Sequence, residues 1–113
     1  MKTAVLLLYC SPQRIIPNGF IETDAQGIVL RIGSLNQYDN EPHSTTFRNG
    51  ILLPFLPDTG QIIQEGLKKG LERQFNASQV EIKEGERLSL WLLSGENLFQ
   101  KEIQPPLSVT RLL

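Results

Sequence analysis

The sequence predicts a mainly β chain: a small β-sandwich or partly closed barrel of short strands, carrying one amphipathic α-helix at about residues 59–75. Three observations predict it. β-rich runs separated by turn residues fill the first half of the chain, a run with a helical apolar period follows, and strand-like runs return after Asn76. At 113 residues the chain fits a single domain, residues 1–113, since typical domains run to about 100–150 residues. Its 40% apolar content is ordinary for a globular protein, and a chain of this size buries roughly two-thirds of its unfolded surface without staples.

The strands follow in order. Thr3–Tyr9 is a continuous apolar run, suited to a strand covered on both faces. Ser11-Pro12-Gln13 ends it, and Pro17-Asn18-Gly19 marks a tight turn. Phe20–Thr23 and Ile28–Ile32 flank Asp24-Ala25-Gln26-Gly27, which reads as a hairpin. Alternation in the second run sets Ile28, Leu30 and Ile32 on one face and Val29 and Arg31 on the other. Asn36 to His43 is polar, contains Pro42 and reads as a loop. Thr45–Arg48 and Ile51–Leu53 then flank Asn49-Gly50, a dipeptide that tolerates the positive φ angles of a type I′ turn and predicts a second hairpin.

Pro54 and Pro57 stop strand pairing, and the period changes. Ile63, Leu67, Leu71 and Phe75 recur every four positions with Ile62 beside them, while Gln64, Glu65, Lys68, Lys69, Glu72 and Arg73 lie off the stripe. That pattern is one amphipathic helix with Asp58 or Thr59 as its N-cap, its stripe packed on the sheet and its charges forming a solvated face. Gly66 and Gly70 cost it about 1 kcal/mol each and remove side chains near the stripe, permitting close packing. Val80–Lys83 alternates as a strand, Leu88–Leu93 is the strongest strand run, and Leu98–Ile103 and Ser108–Leu113 follow on either side of Pro105-Pro106.

Composition excludes several functions. Eleven basic residues against twelve acidic ones supply no concentrated basic field for a phosphate backbone, so no nucleic-acid partner is expected. No segment approaches the ~20 apolar residues of a membrane span, and none is expected to cross a membrane. The start Met1–Cys10 superficially resembles a secretion signal, but its apolar run is short, no small-x-small cleavage site follows, and Tyr9 is too bulky for a lipoprotein cleavage box. A first β-strand accounts for the same residues. Cys10 is the sole cysteine, so no intramolecular disulfide forms, in keeping with a reducing, cytoplasmic setting. Asn76-Ala77-Ser78 is a formal glycosylation sequon without meaning unless the chain is secreted.

Catalytic chemistry is sparse. Cys10 reads as a buried thiol, because a reactive one wants a basic partner and His43 is the only histidine. One histidine cannot build a multi-histidine metal centre, and the chain contains no P-loop, dinucleotide-binding fingerprint or nucleophile elbow. His43 reads as solvated beside Glu41 and Ser44, Asp58 as a cap, and Trp91 as packing. No catalytic residue, metal or cofactor is expected, and the chain is expected not to be an enzyme.

One segment carries a resemblance. Asn49-Gly50-Ile51-Leu52-Leu53-Pro54-Phe55-Leu56-Pro57-Asp58-Thr59-Gly60-Gln61-Ile62 resembles a landmark of the metal-dependent amidohydrolase superfamily, of the form Leu-Pro-Gly-Leu-Ile-Asp-Thr-His-x-His. The match runs through Leu53-Pro54, Leu56 and Asp58-Thr59, with Phe55 where the family has glycine. The two metal-binding histidines of the family fall on Gly60 and Ile62, whose side chains cannot donate an electron pair. The run from Gly19 to Gly33 is similar to the family's opening hairpin, and Leu88–Gly95 with Ser108–Leu113 to its returning C-terminal strands. In the family, strands from both chain ends form a composite β-sandwich beside a (β/α)₈ barrel of roughly 250 residues. Here the resemblance covers about residues 3–60 and 79–113, and the barrel is missing. It implies a non-catalytic composite-type domain with an assembly or interaction role, partnered by a second copy or by a barrel-bearing protein. The alternatives are a non-catalytic subunit of a split amidohydrolase whose barrel is on another chain, and a small-ligand binding module using a cleft between sheet and helix.

Overall fold

The computed structural model describes residues 1–35, 45–100 and 103–113. The apolar run at the start forms β1 (Lys2–Ser11) and turns at Pro12-Gln13 into β2 (Arg14–Thr23), antiparallel to it. A second reversal leads to β3 (Val29–Ser34), where Asp24 Oδ1 accepts the N–H groups of Gln26 and Ile28 and so fixes the turn. β4 (Thr46–Leu53) lies parallel to β1. After the helices α1 (Thr59–Glu65) and α2 (Leu67–Ser78), β5 (Trp91–Ser94) and β6 (Ser108–Arg111) add antiparallel to β4 and to one another. The result is one open six-stranded mixed sheet in the order β3-β2-β1-β4-β5-β6, not closed into a barrel. The mainly β class stands.

Both faces of the sheet are covered. On one face Val5, Leu8, Ile21, Val29, Ile32, Leu52 and Leu92 meet Ile82 and Leu90. On the other, Tyr9, Ile51, Leu53 and Leu93 meet Ile62, Leu71, Phe75, Leu98 and Ile103. The helical stripe therefore packs on the sheet as its period predicts. Ile62 is fully buried, and Ile63 and Leu67 are half-buried against the same cluster.

Several local expectations are overturned. Asn49-Gly50 is not a hairpin turn. It lies inside β4, where the register with β1 steps from Val5 opposite Arg48 to Leu7 opposite Ile51, leaving one extra residue in β4. Asn-Gly serves a bulge here instead of a turn: Gly50 has φ 150, and a Cβ on it would collide with the Leu93 carbonyl oxygen of the adjoining strand. Pro17-Asn18-Gly19 also lies within a strand. Asn18 adopts φ 50 without shifting the β1–β2 register, so the positive φ is absorbed as a kink. Around this level the side-chain alternation changes phase, and Val5 and Leu8, of opposite parity, enter the same core.

Alternation also misplaces the third strand. A register step between Glu22 and Thr23 puts Val29 and Ile32 together in the core and leaves Leu30 54% exposed. The helix is two helices. Gly66, at φ 93, ends α1 with its N–H on the Ile62 carbonyl, and α2 starts at the next residue. The kink folds α2 back on α1 so that Gly70 sits against the Ile62 backbone, where a Cβ would approach its Cα to 3.0 Å. Val80–Lys83 forms no strand, Leu88–Leu90 stays irregular before β5, and the described part of Leu98–Ile103 is turn and irregular chain. These segments use their apolar residues as cover for the sheet, and burial of Ile82, Leu90 and Leu98 needs no ladder. The predicted loop from Asn36 to His43 lies outside the described residues, and His43 with it.

Candidate functional site

The level at which β1, β2 and β4 kink together also shapes the surface. A cleft of about 420 Å³ opens there, within the size range of small-molecule sites. Ala4, Val5, Leu6, Leu35 and Phe47 line it as apolar wall, and Asn18, Arg48 and Asn49 supply the polar groups. Leu6 is 42% exposed and Phe47 62%, so two large apolar side chains stand at its mouth. The bulge creates this arrangement: with an extra residue in β4, Arg48 and Asn49 stay at the surface while Ile51–Leu53 enter the two cores.

Beside the cleft lies a buried ring with cations over it. Phe20 is fully buried, with Lys2 Nζ 4.8 Å and Arg31 Cζ 5.2 Å from its centroid. Cross-strand pairing of Lys2 with Glu22 and of Glu22 with Arg31 places these charges in one row, and Arg31 Nε lies 3.4 Å from Glu22 Oε1. Here aliphatic stems and a cation–π stack cover an aromatic ring that no helix reaches.

The sequence-selected residues fall apart in space. Asp58 caps α1, its Oδ1 accepting the Gln61 N–H at 3.2 Å, and Gln74 of α2 clamps the same residue by bonding both its N–H and its carbonyl. Gly60, exposed, and Ile62, fully buried, both belong to α1. Both positions therefore sit on a helix packed against the sheet, and Ile62 does core work. Cys10 is 1% exposed in the first core, and burial pushes its thiol up to about 11, which disfavours the reactive thiolate. Trp91 is half-buried on β5 with the Arg111 guanidinium 5.6 Å from its ring centroid. Lys68, Lys69, Glu72 and Arg73 are solvent-facing, and Arg73 pairs with Glu65 at 2.7 Å. Among the described residues no three His, Cys, Asp or Glu side chains gather into a group. The cleft itself escapes sequence reading, because Asn49-Gly50 signals a turn as strongly as a bulge.

No helix among the described residues is long and apolar enough to cross a membrane. No family model, no curated protein and no solved structure matches this chain.

Proposed function

We propose that the chain is a non-catalytic domain of the amidohydrolase composite type, retained in the cytoplasm for assembly or interaction. The observation that carries the reading is the pairing of β4 with β5. Through it, strands from the first half of the chain and strands from its last quarter complete one sheet, in keeping with the composite sheets of that superfamily. The chain between them is only two short helices and an irregular segment, in keeping with a composite-type domain that lacks the barrel. β4 runs into Leu53-Pro54 and Asp58-Thr59 as the family's landmark strand does, and the helix beginning there turns its apolar face onto the sheet.

The test is hydrolysis. Purified protein, loaded with zinc or manganese and offered cyclic and acyclic amides, is expected to hydrolyse none of them and to retain no stoichiometric metal after desalting. Metal-dependent turnover by the chain alone would sink the reading. Turnover gained only on mixing with a barrel-bearing hydrolase would move it to the split-enzyme alternative.

The cleft favours a second reading, a small-ligand module. Apolar walls ending in a guanidinium and two amides suit a small amphipathic anion such as an aryl carboxylate. The site lies on the sheet, not between sheet and helix. A thermal-shift series of such acids checks it: saturable stabilisation in the wild type, lost in Arg48→Gln, supports it.

A further inference from the structure

The two edges of the sheet differ. The outer edge of β3 is occupied by the chain's own residues 84–88. The Val29 N–H donates to the Glu86 carbonyl at 2.9 Å, the Val29 carbonyl accepts from the Gly85 N–H at 2.7 Å, and the Ile32 N–H reaches Glu84 Oε1 at 3.3 Å. A bridge between Ile28 and Arg87 extends this cover. From Ile28 to Ile32 that edge is closed to another strand.

β6 has no such cover among the described residues. The Leu112 N–H donates to the Leu90 carbonyl at 2.8 Å, which sets the phase of the antiparallel ladder. Leu92·Thr110 and Ser94·Ser108 are then the hydrogen-bonded pairs, and Trp91·Arg111 and Leu93·Val109 are not. Val109 and Arg111 therefore point their N–H and C=O groups outward, along an edge flanked by the half-buried Leu107 and Leu112.

We propose that this edge pairs with the same edge of a second copy, antiparallel about a two-fold axis at Thr110. In that register Val109 of each copy exchanges main-chain bonds with Arg111 of the other, Thr110 meets Thr110, and Ser108 lies opposite Leu112. No like charges face each other, and Thr–Thr is a favourable cross-strand pair. Arg111 is already drawn back over Trp91 and onto the Leu113 carbonyl, clear of the edge. Because the β3 edge is occupied from Ile28 to Ile32, a β6 strand cannot pair along that stretch, which favours the isologous contact over head-to-tail addition. An isologous assembly closes at two copies instead of growing into a filament. This deepens the assembly reading by naming the partner and rests on that part of it alone.

Light scattering with size exclusion, over roughly 10 µM to 1 mM, is expected to show the mass rising towards twice 12.7 kDa. Val109→Pro removes only an outward N–H, a substitution edge strands tolerate, and is expected to be monomeric throughout with an unchanged circular dichroism spectrum. Thr110→Lys, at an exposed position, puts like charges on the axis and is expected to be monomeric, while Thr110→Val still dimerises. The Lys variant carries the test if the Pro variant fails to fold. A wild type that stays monomeric at 1 mM, or a folded Val109→Pro or Thr110→Lys variant that still dimerises, overturns the proposal. Either result leaves the non-catalytic reading standing, whereas hydrolysis would remove that reading and leave the dimer.

Discussion

The two faces of the sheet are covered by chain of opposite character. On the helix face, α1 and α2 satisfy most of their own backbone groups internally and offer the sheet little but apolar side chains. On the other face the cover is residues 79–90, with no helix or strand of its own. That segment borrows its partners from the sheet and its ends: the Ile82 N–H bonds the Cys10 carbonyl, the Leu90 N–H the Leu113 carbonyl, and Glu86 and Gly85 bond Val29. Burial is nonetheless equal, with Ile82 and Leu90 as enclosed as Ile62 and Leu71. Regular structure is thus not required to build a core. It changes whether the covering chain can keep its hydrogen bonds when it lifts off.

The sharpest way to break that comparison is to truncate one large residue on each face. Ile62→Ala and Ile82→Ala are each expected to cost about 3–4 kcal/mol in urea unfolding, since both are essentially inaccessible. A cost below about 1 kcal/mol for Ile82→Ala would show that the irregular cover is loosely packed and the two faces unequal.

Gly50→Ala strikes both faces at once. The bulge sends Ile51 and Leu53 to one core and Leu52 to the other, and a Cβ there meets the Leu93 carbonyl. A loss of about 2–3 kcal/mol is expected, read as a lower urea midpoint with unchanged slope.

Adjacent residues report on the two cores separately by pH. Burial raises Cys10, in the first core, from 9.0 to about 11. Tyr9, in the second, rises from 10.0 to about 12, by burial first and the nearby Glu72 charge second. In both cases the folded state holds the proton more tightly than the unfolded chain. Stability is therefore full below about pH 9 and falls as pH rises, through about 11 for Cys10 and 12 for Tyr9, by about 2 kcal/mol each. Cys10→Ala should abolish the earlier part of the fall and Tyr9→Phe the later part, whatever their baseline stabilities. A pH profile unchanged by either variant would disprove the assignment.

The smallest expected effect belongs to the helix face alone. Asp58→Ala removes the cap of α1 and should cost about 1 kcal/mol, seen as a small drop in melting temperature.

What was legible follows from the range of the signal. The apolar run Thr3–Tyr9 reads as a strand covered on both faces, and it forms β1, next to β4 in the middle of the sheet, with Leu6 left exposed. The four-residue period of Ile63, Leu67, Leu71 and Phe75 marks the face that packs, and the cap narrows to Asp58 or Thr59, of which Asp58 is the one used, because these depend on neighbours within a turn. The break at Gly66 is not legible in the sequence, since a helix-interior glycine and a helix-ending one look alike until α2 has something to fold back on. Of the cleft nothing was legible: Phe47 and Arg48 read as hairpin residues, and Leu6 as core.

The sequence alone was enough for the mainly β class, the order of most elements, the capping of the helix and the solvated charges of its outer face, all set by local propensity and periodicity. Tertiary structure settled the fate of Asn49-Gly50, Pro17-Asn18-Gly19 and Leu88–Leu90, because turn and bulge, or strand and irregular cover, differ only in which distant carbonyl lies opposite. It likewise settled which sheet edge is closed. A row of main-chain N–H and C=O groups is the same for every sequence, and only the fold decides whether residues such as Gly85 and Glu86 arrive to meet it.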